Sequence, residues 1–491
     1  MNTLPAVHLC IVQPASYVHS LGFIDQARYF RYQFRQLGAQ VSIAKNRLRH
    51  DAVNVIFGAH LGFDAAQTRR YACVFVQLEQ LGQGGANLRP DYLRLLQQAA
   101  VIDYDADNLA AYASAPQDVP LVSFQHAPYL KPIDGGIPLE ERPIDLLFIG
   151  SMNDRRRAWL DRVEACSRVV SLFDSALYAQ ERDDFIRQAK SVVNCHFYES
   201  ARFEQARVAH CLSLGTPVIS ERTDQTRPHA AFEDCVLWLQ GDQLEQFFTE
   251  DFDTPTYFDF ARAALHHFER ANPIEAYADA LAFVAGYGRV HHQHRPTEPW
   301  RPERVNLGSG RDYKAGWLNI DILDRAMPDL VLDLSAPLQL PLRADAPRSG
   351  PIELSEESLD LIYANNVLEH VPDLPGLMSN CLRLLKTGGE FQIEVPYERA
   401  LSAWQDPTHV RAMNENSWLY YTDWFWYLGW FEHRFELTQS SWLDAQLRVC
   451  EQADAAFMRV TLTKVSTTPR ERTTARTMQA DLRLPDDDPA P

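Results

Sequence analysis

No two cysteines in this 491-residue chain stand at C-x-x-C spacing; the eight (Cys10, Cys73, Cys166, Cys195, Cys211, Cys235, Cys381, Cys450) are scattered. That spacing excludes a zinc knuckle and a disulfide framework and fits reduced thiols in a cytoplasm. Long hydrophobic runs are also lacking: the apolar stretch at Val7–Val12 is far too short to span a bilayer. The opening Met1-Asn-Thr-Leu-Pro5 has no basic n-region, so the stretch reads as a buried first strand rather than a signal or transmembrane segment. Positive charge is scarce, with Lys+Arg 47 against Asp+Glu 65 and a net charge of -18. No cluster of Lys and Arg interleaved with aromatics offsets it, which argues against nucleic acid as the main partner and favours a small molecule, glycan or peptide. No solenoid-length repeat is visible, and His291, His292 and His294 have no Cys or carboxylate at ligand spacing that would make them a metal site.

What is present is ordinary globular composition, 46% hydrophobic and 23% charged, in a chain too long for one core. Short apolar strands alternate with amphipathic stretches throughout, the pattern of parallel sheets covered by helices on both faces. The fold class read from this is α/β with three Rossmann-like units. Two breaks divide them, Lys131–Pro143 and Gly286–Pro302, where Gly, Pro and His interrupt the hydrophobic period. The predicted organisation is a first lobe over 1–130, a second over 143–285, a linker over 286–301, a third unit over 302–465 and a disordered tail over 466–491. Strands are expected at His8–Gln13, Gln40–Ala44, Val53–Phe57, Cys73–Gln77, Ala100–Tyr104 and Leu121–Phe124 in the first lobe.

In the third unit, Arg304-Val-Asn-Leu-Gly-Ser-Gly310 puts an apolar strand before a G-x-G turn, where missing Cβ atoms let backbone approach a ligand. Trp317-Leu-Asn-Ile-Asp321 follows as a strand ending in an acid that can accept ribose hydroxyls, and a third strand, Asp329–Leu334, carries Asp333. Then come Ala364-Asn-Asn-Val-Leu-Glu-His370 and Leu384-Leu-Lys-Thr-Gly-Gly-Glu390. This ordered set resembles the class I methyltransferases that use S-adenosylmethionine. The resemblance implies that Leu307, Gly308, Ser309 and Gly310 face the methionine moiety. It also implies that Asp321 takes the ribose, Asp333 the adenine and Asn365 the region beside the sulfonium, with Ile322, Leu334 and Asn366 beside them at the cofactor. The third loop glycine of that family is replaced by Asp312, and only Arg311–Gly316 precedes the second strand, so the usual first helix is abbreviated. A dinucleotide-binding Rossmann domain expects a longer crossover there and leaves the later motifs unexplained.

For an acceptor hydroxyl, His409 is the candidate base, since imidazole titrates near neutrality; Asp406 either orients it or caps its own turn, and His370 is the second imidazole at that edge. The aromatic run Trp418–Phe435 reads as core packing, or as a lid or sugar platform.

In the second lobe, a helix with Glu204 and Arg207 one turn apart ends at Gly215, and a short strand then delivers Glu221 to its carboxyl edge. With Asp145-Leu-Leu-Phe-Ile-Gly-Ser151, this resembles the two-lobed (GT-B) glycosyltransferases. The resemblance implies a nucleotide-sugar site at Glu204, Arg207 and Glu221. The chain departs from many members where two glutamates are replaced by Arg202 and His210. The function expected is O-methylation of a glycan or glycosylated metabolite using S-adenosylmethionine, joined to a glycosyltransferase module with a nucleotide sugar as co-substrate. The alternative is a catalytically silent binding or interaction module in its place.

Overall fold

The computed structural model describes residues 5–15, 17–131, 135–173, 176–346 and 348–478. They form two compact units, Met1–Arg295 and Pro296–Pro491.

The first unit holds two parallel sheets. One comprises β1 (Val7–Ile11), β2 (Val41–Lys45), β3 (Val53–Phe57), β4 (Cys73–Gln77) and β5 (Ala100–Asp103), in the order β2-β1-β3-β4-β5. The other comprises β6 (Ile144–Phe148), β7 (Val170–Ser171), β8 (Ala189–Asn194), β9 (Val218–Glu221) and β10 (Leu237–Leu239), in the order β10-β9-β8-β6-β7. Strands β1, β3 and β4 are buried along their whole length, which is why they read as continuous apolar runs. Helices cover these sheets: α1 (Phe23–Gln36), α2 (Pro90–Gln98), α3 (Asp154–Ala165), α4 (Ala179–Arg187), α5 (Gln205–Ser213), the single turn α6 (Leu244–Gln246), α7 (Pro255–Phe268) and α8 (Ile274–His294). On α1 the buried Ala27, Phe30 and Phe34 repeat at helical spacing. Asn153 starts α3 by accepting the Arg156 amide hydrogen bond at 2.9 Å.

Helix α8 corrects the expected linker over 286–301, because it continues through that segment to His294. Gly288 serves close packing rather than chain breaking: a Cβ there would stand 2.3 Å from Val53 Cγ2, so the helix lies directly on β3. Tyr277 of α8 meets Tyr29 and Phe30 of α1 edge-on, with centroids 5.6 and 5.0 Å apart. Leu121–Phe124 forms no strand; only a bridge between Asp103 and Leu121 remains of it.

The second unit contains β11 (Arg304–Leu307), β12 (Leu318–Asp321), β13 (Leu330–Val331), the hairpin β14 (Leu342–Ala346) and β15 (Gly350–Leu354), β16 (Leu359–Asn365), β17 (Leu385–Pro396), β18 (His433–Leu443), β19 (Val449–Cys450) and β20 (Phe457–Ser466). Its main sheet runs β13-β12-β11-β16-β17-β20-β18-β19. The first five strands are parallel, and β20 lies antiparallel between β17 and β18. Three helices accompany them: α9 (Leu374–Leu384), the one-turn α10 (Ser402–Gln405) and α11 (Pro469–Met478). No helix intervenes between β11 and β12, as the short Arg311–Gly316 connection demands. The expected disordered tail is corrected over its first part. Helix α11 occupies Pro469–Met478, buries Ala475 completely and pairs Glu471 with Arg434 at 2.8 Å. The rest of that tail lies outside the described residues. Among the described residues, no helix is long and apolar enough to cross a membrane.

Candidate functional site

In the second unit, the carboxyl ends of β11, β12 and β16 meet at one edge. The chain leaves β11 through Gly308 and Gly310, both with positive φ (62° and 46°). A Cβ on Gly308 would lie 2.4 Å from Val367 Cγ2, so the turn is pressed against the loop that follows β16. Asp321 closes β12: its Oδ2 accepts from the Gly310 amide at 2.9 Å and its Oδ1 from the Leu323 amide at 2.8 Å. The Ser309 amide donates to the Ile320 carbonyl at 3.0 Å, and Ser309 is only 3% exposed. Its Oγ has no hydrogen-bond partner, nor has the buried Oδ1 of Asn365 at the end of β16. Leaving a buried polar atom unpaired costs about 1–3 kcal/mol, so a polar ligand at this edge would satisfy groups that the protein itself does not.

The other expected cofactor residues take up different positions. Asn366 sits at positive φ (53°) and donates its amide to the Glu394 carbonyl at 2.9 Å. Leu307 and Leu334 belong to the core, whereas Ile322 is 65% exposed beside Asp321. Asp333 follows the two-residue β13 in a turn, where its Oδ1 accepts from the amide and hydroxyl of Ser335 at 2.8 and 2.6 Å.

His370, just after β16, and His409, in the loop after β17, meet edge to face with ring centroids 4.7 Å apart. Asp406 does not hold the His409 ring. It accepts instead from the Thr408 amide and hydroxyl at 2.8 and 2.6 Å, and these bonds keep its carboxyl below the usual range. Thr408 Oγ1 in turn lies 2.9 Å from His370 Nδ1, while His409 Nδ1 donates to the Ala403 carbonyl at 2.9 Å. Beside them Glu369 is 1% exposed, with neither carboxylate oxygen hydrogen-bonded. Burial pushes its carboxyl up to about 7.

In the first unit, a cavity of about 480 Å³ opens between the two sheets, lined by Gly22, Gln26 and Gln80 from one side and Gly150, Arg156 and Arg207 from the other. Glu204 lies on its wall and accepts from Asn194 Nδ2 (3.1 Å), His196 Nδ1 (3.0 Å) and Arg156 Nη2 (3.3 Å). Burial pushes this carboxyl up, but the His196 hydrogen bond and the charges of Arg207, His196 and Arg156 outweigh it and hold it at about 2. Arg207 donates to the Ile149 carbonyl at 2.8 Å and faces Glu204 at 3.9 Å. Glu221 is engaged elsewhere, in a two-bond pair with Arg155 (2.7 and 2.8 Å), and is not among the residues lining the cavity. At the two departures from the glutamate pattern, Arg202 pairs with Asp105, and His210 contacts Arg182 and Asp183.

Residues 220–443 match a family model described as a methyltransferase domain. Most of that match lies in the second unit, which carries the methyltransferase-domain similarity. The match begins earlier than the 302 expected from the motifs, in the last strands of the first unit, and ends in β18. No curated protein matches the chain. Among solved structures, an S-adenosylmethionine-dependent methyltransferase from Mesorhizobium loti is similar at 16% identity and TM-score 0.23, covering 34% of this chain and 94% of that one. A second, from Archaeoglobus fulgidus, gives 15% identity and TM-score 0.23, covering 36% and 91%. WaaG, a glycosyltransferase involved in lipopolysaccharide biosynthesis, gives 14% identity and TM-score 0.38, covering 57% of this chain and 100% of that chain.

Sequence reasoning overlooked Glu369 and Thr408 in the methyltransferase domain, although both adjoin residues it singled out. It also overlooked Arg156 in the first unit, whose guanidinium reaches Glu204 from a helix more than forty residues away. Only the V-L-E-H string held a signal for any of them.

Proposed function

We propose that the chain is an S-adenosylmethionine-dependent methyltransferase acting on a hydroxyl of a glycan or glycosylated metabolite. The observation that carries this reading is the pair of unpartnered buried atoms, Ser309 Oγ and Asn365 Oδ1, at the edge closed by Asp321. Leu307 to Gly310 then present backbone and the Ser309 hydroxyl to the methionine moiety. Asp321 retains free lone pairs on both oxygens for ribose hydroxyls, and the exposed Ile322 offers an apolar face to the base. Asp333 and Leu334 take the adenine edge, and Asn365 and Asn366 the region of the sulfonium. The bound cofactor supplies a methyl group activated by sulfonium, so the residues mainly align the acceptor and handle its proton. We assign that second task to His409 and His370, with Asp406 acting through Thr408. The exposed Tyr420, Trp424 and Tyr427, packed edge-on with centroids 5.3 Å apart, support a sugar-bearing acceptor, since such rings stack on sugar faces. Replacing His409 with Ala or Gln is expected to lower turnover by roughly two to four orders of magnitude while cofactor affinity changes little. Near-normal rates would leave catalysis to positioning alone.

The first unit we assign a nucleotide-sugar site, giving a bifunctional enzyme in the cytoplasm. Its support is the cavity with Arg156 and Arg207 beside the Gly150 turn, cations placed where a diphosphate would bind. The second reading, a silent binding module, is favoured by Arg202, paired with Asp105, and His210, hydrogen-bonded to Arg182 and Asp183, at the departing positions.

A further inference from the structure

We propose that Glu369, His370 and His409 bind one divalent transition-metal ion of the zinc class at the carboxyl edge of the methyltransferase sheet. One donor atom from each of the three lies within 4.8 Å of the other two. Ligands at about 2.0–2.2 Å from a shared ion stand at most roughly 4.4 Å apart, so only a small inward movement of the side chains completes the site.

Three features of the surroundings fit a metal rather than a packing role. Glu369 is nine-tenths buried and more, yet both its oxygens lack a partner; a cation would provide what the protein does not. Both imidazoles are already oriented through Nδ1. His409 donates from that atom to the Ala403 carbonyl, and His370 donates to Thr408 Oγ1, whose own proton goes to Asp406. These bonds leave the lone pair of each ring on Nε2, and they are the outer contacts that hold metal-ligating histidines in tautomer and direction. The donor set is two imidazoles and one carboxylate, without thiolate and without the all-oxygen cage that magnesium or calcium prefers, which selects borderline ions such as Zn²⁺.

Three protein ligands leave at least one coordination position open. The site itself stands on this side-chain geometry alone. Its role, to bind the acceptor hydroxyl and lower its pKa, rests on the methyl-transfer reading above, with both imidazoles then handling the proton through the ion they ligate and not as free bases. It would explain why Asp406 serves Thr408 rather than His409: the chain Asp406–Thr408–His370 orients a ligand.

The test uses the full chain, stripped of metal by a chelator and titrated calorimetrically with Zn²⁺, with S-adenosylmethionine titrated separately into the same sample. One ion per chain is expected, its affinity falling at least about tenfold in Glu369→Gln and in His409→Ala, and by a smaller factor in Thr408→Val. A control variant replacing His291, His292 and His294 should keep the site. Zn²⁺ binding that survives unchanged in both Glu369→Gln and His409→Ala overturns the proposal, as does binding lost with the α8 histidines. Intact Zn²⁺ binding with no cofactor binding would overturn the methyltransferase reading and leave the metal site standing.

Discussion

Gly308 and Val367 interlock: the backbone of the turn after β11 passes so close to the loop after β16 that a single added methyl on Gly308 would sit 2.4 Å from Val367 Cγ2. The contact presses the turn that carries Ser309 against the loop that follows Asn365. Gly308→Ala adds both this clash and an alanine at φ 62°, a strain of about 1–3 kcal/mol. The expected outcome is cofactor affinity reduced by roughly 5- to 150-fold with the far-ultraviolet circular dichroism unchanged. Wild-type affinity in this variant would show that the turn is free to move.

Arg207 is expected to matter for nucleotide binding in the first unit. Nucleoside diphosphates should raise the melting temperature of the full chain, and Arg207→Ala should remove most of that rise by deleting a cation at the Gly150 turn. If no nucleotide or nucleotide sugar stabilises the chain, the silent-module reading replaces the glycosyltransferase one.

Asp103 predicts a pH dependence of stability. Its carboxylate accepts from the Tyr104 amide (2.7 Å), Asn108 Nδ2 (2.9 Å) and the Tyr112 hydroxyl (2.9 Å), but burial outweighs these and pushes its pKa to about 7. In the unfolded chain the same group ionises near the ordinary value of about 4. A raised folded-state pKa contributes stability that is complete below the unfolded value and lost as pH climbs through the folded one. Relative to Asp103→Asn, the wild type should therefore lose stability between about pH 4 and about pH 7, with little change outside that window. Urea unfolding of both proteins across pH measures it, and a constant difference would refute the assignment.

The sheets were legible where burial on both faces leaves uninterrupted apolar runs: β1, β3 and β4 fall almost where Val7, Val53 and Cys73 place them. Helix α8 was misread because Gly286 and Gly288 signal chain breaks in isolation, and only the approach of Val53 reveals Gly288 as a contact surface. Helix α11 was missed although it carries a local signal. Thr468 and Glu471 exchange amide bonds at 2.7 and 3.2 Å around Pro469, a start motif that polar composition obscured. At the candidate site, the glycine turn and Asp321 can be recognised from strand-end chemistry. For Asp406 the sequence left open orienting His409 or capping its own turn; the bonds to Thr408 are the second, and the choice depends on which side of a loop faces the sheet.

Cofactor binding at the edge that Asp321 closes is the property on which methyl transfer by this chain depends most directly. Isothermal titration of the full chain with S-adenosylmethionine should give one site per chain. Asp321→Ala should weaken it at least about tenfold, in line with the roughly 1.5–3 kcal/mol of a hydrogen bond to a charged group, while His409→Ala leaves it near wild type. Undetectable binding by the wild type, or an unchanged affinity in Asp321→Ala, would contradict it.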